Sequence, residues 1–161
     1  MNEIKAAEQQ SNVGGVQVAL QTVYLKDSSY ESPNGPRVPN NQTWEPKFQL
    51  NMNTAAEALA PDVHEVLLTI TLEAKQGDTT LYLVEVKQAG VFAVSGAAPD
   101  DLKRLIGSFC PSVLFPYARE AISDLITKGG FPQFLLPLVN FDALYLQAAN
   151  TPAEQAPNLV N

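Results

Sequence analysis

The strongest constraint on this chain is a two-residue alternation interrupted by one tight turn. From Val63 to Ala74, the apolar residues Val66, Leu68, Ile70 and Leu72 fall on one face of an extended chain. Leu67, Thr69, Thr71 and Glu73 fall on the other. Side chains alternate across a strand with period two, so this segment reads as a strand. Gln76-Gly77-Asp78 is a hairpin signal. The returning strand runs from about Thr79 to Gln88, and Gly90 marks a bulge or break before VFAV. The two strands predict an antiparallel hairpin.

Two more strands precede it. Val16, Val18, Leu20, Thr22 and Tyr24 share one face, with Gln17 and Gln21 on the other. Lys26 to Gln42 holds Pro33, Pro36 and Pro39 and reads as a long loop, because proline removes a backbone donor. Trp44 opens the next extended segment, in which Phe48, Leu50 and Met52 alternate with Gln49, Asn51 and Asn53. The alanine-rich stretch TAAEALAPD reads as a turn.

Beyond residue 95 the period changes. Pro99-Asp100-Asp101 starts a helix, since proline and acids suit a first turn. Leu102, Leu105, Ile106 and Phe109 keep helical spacing, Pro111 interrupts it, and Ser112 can cap a restart. Val113, Leu114, Tyr117, Ala118, Ala121, Ile122, Leu125 and Ile126 then make a broad apolar face, closed by Lys128 and Gly129-Gly130. FPQFLLPLV is extended and apolar, and Asn140 can cap a short last helix bearing Phe141, Leu144, Tyr145 and Ala148. Four strands followed by helices predict an α+β fold with an antiparallel sheet.

The segments Phe109 to Glu120 and Gly130 to Tyr145 concentrate aromatics, aliphatics and prolines. Such material belongs in a core, between subunits, or on a surface that binds apolar partners. Charged residues are 17% of the chain, a low supply for a monomer's surface, which favours an interface or an exposed apolar patch. The net charge of -7 disfavours nucleic acid and anionic membranes, since phosphate recognition needs a basic stripe. No apolar run approaches the roughly 20 residues of a membrane helix. The first fifteen residues lack the apolar centre of a signal peptide, and Cys110 is a lone thiol, so a cytoplasmic protein is expected.

Catalytic chemistry finds little support. His64, the single histidine, opens a strand without a paired nucleophile or orienting acid. Cys110 lies in an apolar setting with no basic neighbour in sequence. One His and one Cys are too few for a common zinc site, and no phosphate-binding glycine pattern occurs.

FCPSVLFPYARE, GFPQ and PLVNFDALY, preceded by YLKDSSYESPNGP and LYLVEVKQAGVF, resemble the SecB family of bacterial protein-export chaperones. The resemblance spans about residues 16 to 147. It implies a four-stranded antiparallel sheet with a long helix and a short C-terminal helix on one face, assembled as a dimer of dimers. Residues 1–15 and 150–161 are then flexible tails around a 16–149 chaperone domain. The implied activity is that of a cytoplasmic, ATP-independent holdase for unfolded precursors, delivered to the SecA ATPase, with no enzymatic activity, no cofactor, no nucleic acid and no membrane insertion. Trp44, Phe48, Leu50, Met52, Phe131, Phe134, Leu136, Phe141, Leu144 and Tyr145 are the implied client groove. Asp27, Glu31, Leu83 and Glu85 are the implied SecA contact, and Val84, Val86 and Gln88 the implied oligomer seam. Asn51 and Asn53 stand where family members often carry acids, and position 84 is Val where some have Cys. Competing readings are a SecB-like chaperone dedicated to a toxin–antitoxin partner, a small apolar-ligand carrier, and a hydrolase built on Cys110.

Overall fold

The hairpin predicted from residues 63–88 lies inside the sheet, with a neighbour on each side. The computed structural model describes residues 9–38 and 42–151. Its strands are Gln9–Val13 (β1), Val16–Glu31 (β2), Lys47–Ala60 (β3), Val63–Gln76 (β4) and Thr79–Ser95 (β5). They form one antiparallel sheet in the order β1-β2-β5-β4-β3. Among the described residues there are thus five strands where four are expected. The additional strand comes from the expected N-terminal tail: Gly14 and Gly15, both at positive φ, turn residues 9–13 back along the start of β2. The rest of that tail, residues 1–8, loop residues 39–41, and 152–161 of the expected C-terminal tail lie outside the described residues.

The strands are longer than their apolar runs, because backbone pairing continues past them. Gln76 pairs with Thr79 around Gly77-Asp78, with Gly77 at φ 60°. β5 does not break at Gly90 but continues to Ser95. Gly90 instead admits a helix: a Cβ there would lie 2.8 Å from the Leu114 side chain. The alanine-rich stretch is strand, not turn, because Ala55 and Ala56 pair with Leu67 and Val66. β2 likewise reaches Glu31, well into the expected loop. A bulge between Leu20 and Thr22 reverses its faces, so Thr22 and Tyr24 leave the face of Val16 and Val18.

The helical half is continuous from Pro99 to Lys128. It comprises α1 (Pro99–Arg104), a π-helical turn (Leu105–Phe109) and α2 (Cys110–Lys128). The break expected at Pro111 is replaced by that widened turn just upstream, where the Cys110 N–H donates to the Leu105 carbonyl. Ser112 caps no new helix; its hydroxyl donates to the Phe109 carbonyl at 2.6 Å. An extended segment then leads to α3 (Phe141–Asn150), capped as predicted by Asn140, whose side chain accepts from the Ala143 N–H at 3.0 Å.

Val66, Leu68, Ile70 and Leu72 of β4 and Tyr82, Val84 and Val86 of β5 are fully buried beneath Leu114, Ala118, Ile122 and Ile126 of α2. The helices cover this face. The other face of the sheet is open.

Candidate functional site

One end of the covered layer is built from stacked aromatics. Tyr30 of β2 stacks on Tyr82 of β5 with ring centroids 6.5 Å apart. Tyr82 meets Phe131 at 4.9 Å, and Phe131 meets Trp44 at 5.8 Å. Phe48 of β3 stacks on Phe134 at 4.3 Å, which ties the segment after α2 to the edge strand. Offset and tilted rings at these separations attract beyond their area burial. Burial, with Tyr30 alongside, pushes the Tyr82 phenol up to about 12.

Ten residues were expected to line one groove, and the structure divides them. Leu50 and Met52 of β3, with Trp44 just before it and Phe134, are partly buried against the core, while Phe48 of β3 is exposed. Phe131, Leu136 and Phe141 are 4%, 2% and 5% exposed and belong to the core. Phe141 packs on Phe115 at 5.6 Å, and Tyr145 lies over Gly107 of the π-helical turn, where a Cβ would be 2.6 Å from its ring. Arg104 pairs with Asp142 at 3.0 Å beside them. Leu144 is exposed on this second seat. Here the expected single groove becomes two patches, because α3 docks on the α1–α2 junction.

The first patch has two properties of a peptide-binding edge. Among the described residues, β3 pairs with β4 on one side only, so its other side offers unpaired backbone groups. Among the described residues, no backbone–backbone hydrogen bond holds 132–139, and Leu135 and Leu138 are 61% and 89% exposed there. Apolar side chains and free backbone thus occur side by side.

Asp27, Glu31, Leu83 and Glu85 meet on the open face, where Glu31 pairs with Leu83 and Ser29 with Glu85. Thr71 donates to the Glu85 carboxylate at 2.9 Å. Farther along, Tyr24 reaches across β5 to donate to Glu65, and Lys26 pairs with the same carboxylate at 2.6 Å. The Lys26 ammonium, followed by the Tyr24 hydroxyl, holds the Glu65 carboxyl below its ordinary value. Accepting this bond, Glu65 pushes the Tyr24 phenol up to about 12.

The residues expected at an oligomer seam are interior ones. Val84 and Val86 are 0% exposed and Gln88 is 4% exposed, on the face that α2 covers. Gln88 donates to the Tyr24 carbonyl at 3.0 Å. Within one copy their alternation is that of a core strand, packed with α2. Cys110 is also buried, and desolvation pushes its thiol up to about 12. Tyr30 and Tyr82 escaped the sequence reading as part of the aromatic stack; the alternation of Tyr82 with Val84 and Val86 was the available signal.

A cavity of about 640 Å³ lies apart from the aromatic stack. Val13 and Val16, Arg104 and Phe109, and Phe141 and Asp142 line it.

The sequence model of the family described as "Preprotein translocase subunit SecB" matches residues 8–152. The chain is 49% identical over 149 residues to the protein-export protein SecB of Nitrosococcus oceani, covering 91% of each chain. It is 52% identical over 131 residues to that of Legionella pneumophila, covering 81% of this chain and 80% of the relative. Against that of Marinobacter nauticus the identity is 44% over 156 residues, covering 97% and 94%. A solved SecB-like chaperone of Mycobacterium tuberculosis, in complex with an antitoxin peptide, shares the fold with a TM-score of 0.64. That structure is 16% identical and covers 76% of this chain and 90% of its own. With the family model spanning nearly the whole chain and relatives this similar over most of their length, the chain belongs to the SecB family.

Proposed function

We propose that this protein is an ATP-independent export chaperone that holds unfolded precursors and delivers them to the SecA ATPase in the bacterial cytoplasm. The observation that carries the proposal is the edge strand β3. Its free backbone side lies next to the stacked Phe48–Phe134 pair and next to a segment without backbone pairing. An extended polypeptide can add as a strand while its apolar side chains enter shallow pockets. Contact through backbone pairing and apolar side chains, without covalent chemistry, suits clients of many sequences.

In this reading Trp44, Phe48, Leu50, Met52 and Phe134 contact clients, and Phe131, Leu136 and Phe141 hold the surface that does so. Leu144 and Tyr145 form a second patch. At about 25 cal/mol per Å2 of apolar area, each pocket alone is weak. A tetramer built as a dimer of dimers would multiply weak contacts through effective concentration, which permits both retention and release. Asp27, Glu31 and Glu85, with Leu83 among them, would receive a basic segment of SecA on the open face.

The test is a refolding assay with a urea-unfolded exported precursor. The protein should slow refolding without ATP, and the complex should bind SecA less tightly as salt rises. Refolding at the spontaneous rate would overturn the holdase reading. Salt-independent SecA binding would overturn the acidic contact. The 640 Å³ cavity favours a second reading, carriage of a small apolar ligand. Native mass spectrometry showing a bound small molecule on a monomer or dimer would support that reading instead.

A further inference from the structure

Gln76 departs from the pattern of its own strand. Along β4 the covered-face positions are Val66, Leu68, Ile70, Leu72 and Ala74, all apolar and fully buried. The next position in this series is Gln76, only 8% exposed. Burying an amide is costly unless its donors and acceptor are satisfied, and local departures from pattern concentrate where a structure does something besides fold.

The amide is fully engaged, and with one short segment. Its Oε1 accepts from the Glu45 N–H at 3.0 Å. Its Nε2 donates to the Thr43 carbonyl at 2.8 Å and to Gln42 Oε1 at 3.3 Å. The two main-chain bonds straddle Trp44. Among the described residues, no backbone–backbone hydrogen bond holds 42–45, so Gln76 supplies the polar anchorage that this stretch otherwise lacks. Pro46 follows and keeps Glu45 extended. The indole is fixed from the other side by Phe131, itself buried against Tyr82.

We propose that Gln76 is a positioning residue for client binding: its carboxamide clamps the main chain on both sides of Trp44 and presents the indole as a pre-set aromatic contact. The proposal rests on the groove reading given above. Its physical advantage is preorganisation, because an indole already held in place loses less freedom when a client arrives.

Trp44 is the single tryptophan of the chain, so its fluorescence reports the clamp directly. Gln76→Met keeps the length of the side chain and removes its hydrogen bonds. In this variant Trp44 anisotropy should fall and acrylamide quenching should rise. Affinity for reduced, carbamidomethylated lysozyme should drop about 3–10-fold, the equivalent of one aromatic contact. Adding Trp44→Ala should cause no further loss. Unchanged Trp44 fluorescence in Gln76→Met, or losses that multiply in the double variant, would overturn the proposal. If Gln76→Met fails to fold, Gln76→Glu takes its place. That substitution keeps an acceptor for Glu45 but sets a carboxylate against the Thr43 carbonyl. Its Trp44 anisotropy should be low at neutral pH and recover as acid restores a donor; anisotropy equal to that of the unmodified protein at neutral pH would equally overturn the clamp. Should Trp44→Ala alone leave lysozyme affinity unchanged, the groove reading fails, while the fluorescence comparison still decides whether Gln76 holds Trp44.

Discussion

The two faces of β4 alternate residue by residue and meet opposite fates. Leu68 and Leu67 are adjacent and chemically identical, yet Leu68 is fully buried and Leu67 remains partly open. The difference is the layer each face meets. Leu68 lies under the helices, whereas Leu67 belongs to the open face with Thr69, Thr71 and Glu73. Alternation therefore defines two faces, but only the packing partner decides which becomes core. The open face is held by polar reach instead: Tyr24 and Lys26 of β2 extend across Ala89 and Val91 of β5 to Glu65 of β4.

The largest test of this contrast is a pair of matched truncations. Leu68→Ala should lower unfolding free energy by about 2–5 kcal/mol, since it empties a packed site. Leu67→Ala should cost under about 1 kcal/mol on the partly solvated face. Urea denaturation of both variants measures the difference. Equal losses would mean that the open face is covered in solution by something as well packed as α2.

The next test separates core from groove within the covered layer. Phe48 is 40% exposed and stacks on Phe134, whereas Phe131 is 4% exposed. Phe48→Ala should reduce affinity for an unfolded precursor by about tenfold while costing about 1 kcal/mol of stability or less. Phe131→Ala should cost about 3–5 kcal/mol of stability, because it removes a buried ring. Titration of the precursor alongside thermal melts reads both quantities. A Phe48 variant that loses stability but no affinity would return Phe48 to the core.

The open face should respond to charge and not to volume. Glu85→Lys and Glu31→Lys place like charge where the basic partner is proposed to land, and each should weaken SecA binding several-fold at low salt. Both should leave precursor affinity unchanged, because the proposed groove residues of β3 lie on the other side of the sheet. Loss of both activities together would indicate a disturbed sheet.

Much of this division was written in the chain. The hairpin around Gly77-Asp78, the buried series Val66 to Leu72 and the Asn140 cap follow from local rules, and the structure carries all three. What escaped the sequence depended on neighbours. β3 continues through an alanine-rich stretch because β4 supplies a pairing partner, although alanine has little strand preference. A bulge beside Gln21 moves Tyr24 to the open face, and no residue type announces a bulge. The π-helical turn before Pro111 replaces a break that proline alone would suggest. The residues proposed for the groove were legible as apolar, but which of them are buried and which exposed depends on where the 132–139 segment lies.

The smallest expected effect concerns the polar bridge on the open face. Lys26 and Tyr24 hold the Glu65 carboxyl below its ordinary value of 4.5. The unfolded chain therefore takes up this proton at a higher pH than the folded one. The bridge contributes its full stability above about pH 4.5 and loses it as pH falls through the lower folded value. Lys26 is 45% exposed, so solvent screening keeps the contribution below about 1 kcal/mol. Glu65→Gln should lower the neutral plateau by that small amount and flatten the acid limb of stability against pH to match, leaving the lowest pH values nearly unchanged. Urea unfolding at closely spaced pH values below 5 would measure it. An acid limb as steep in Glu65→Gln as in the unmodified protein would assign the slope to other carboxylates. The bridge would then align β2 with β4 across the open face without governing its response to acid.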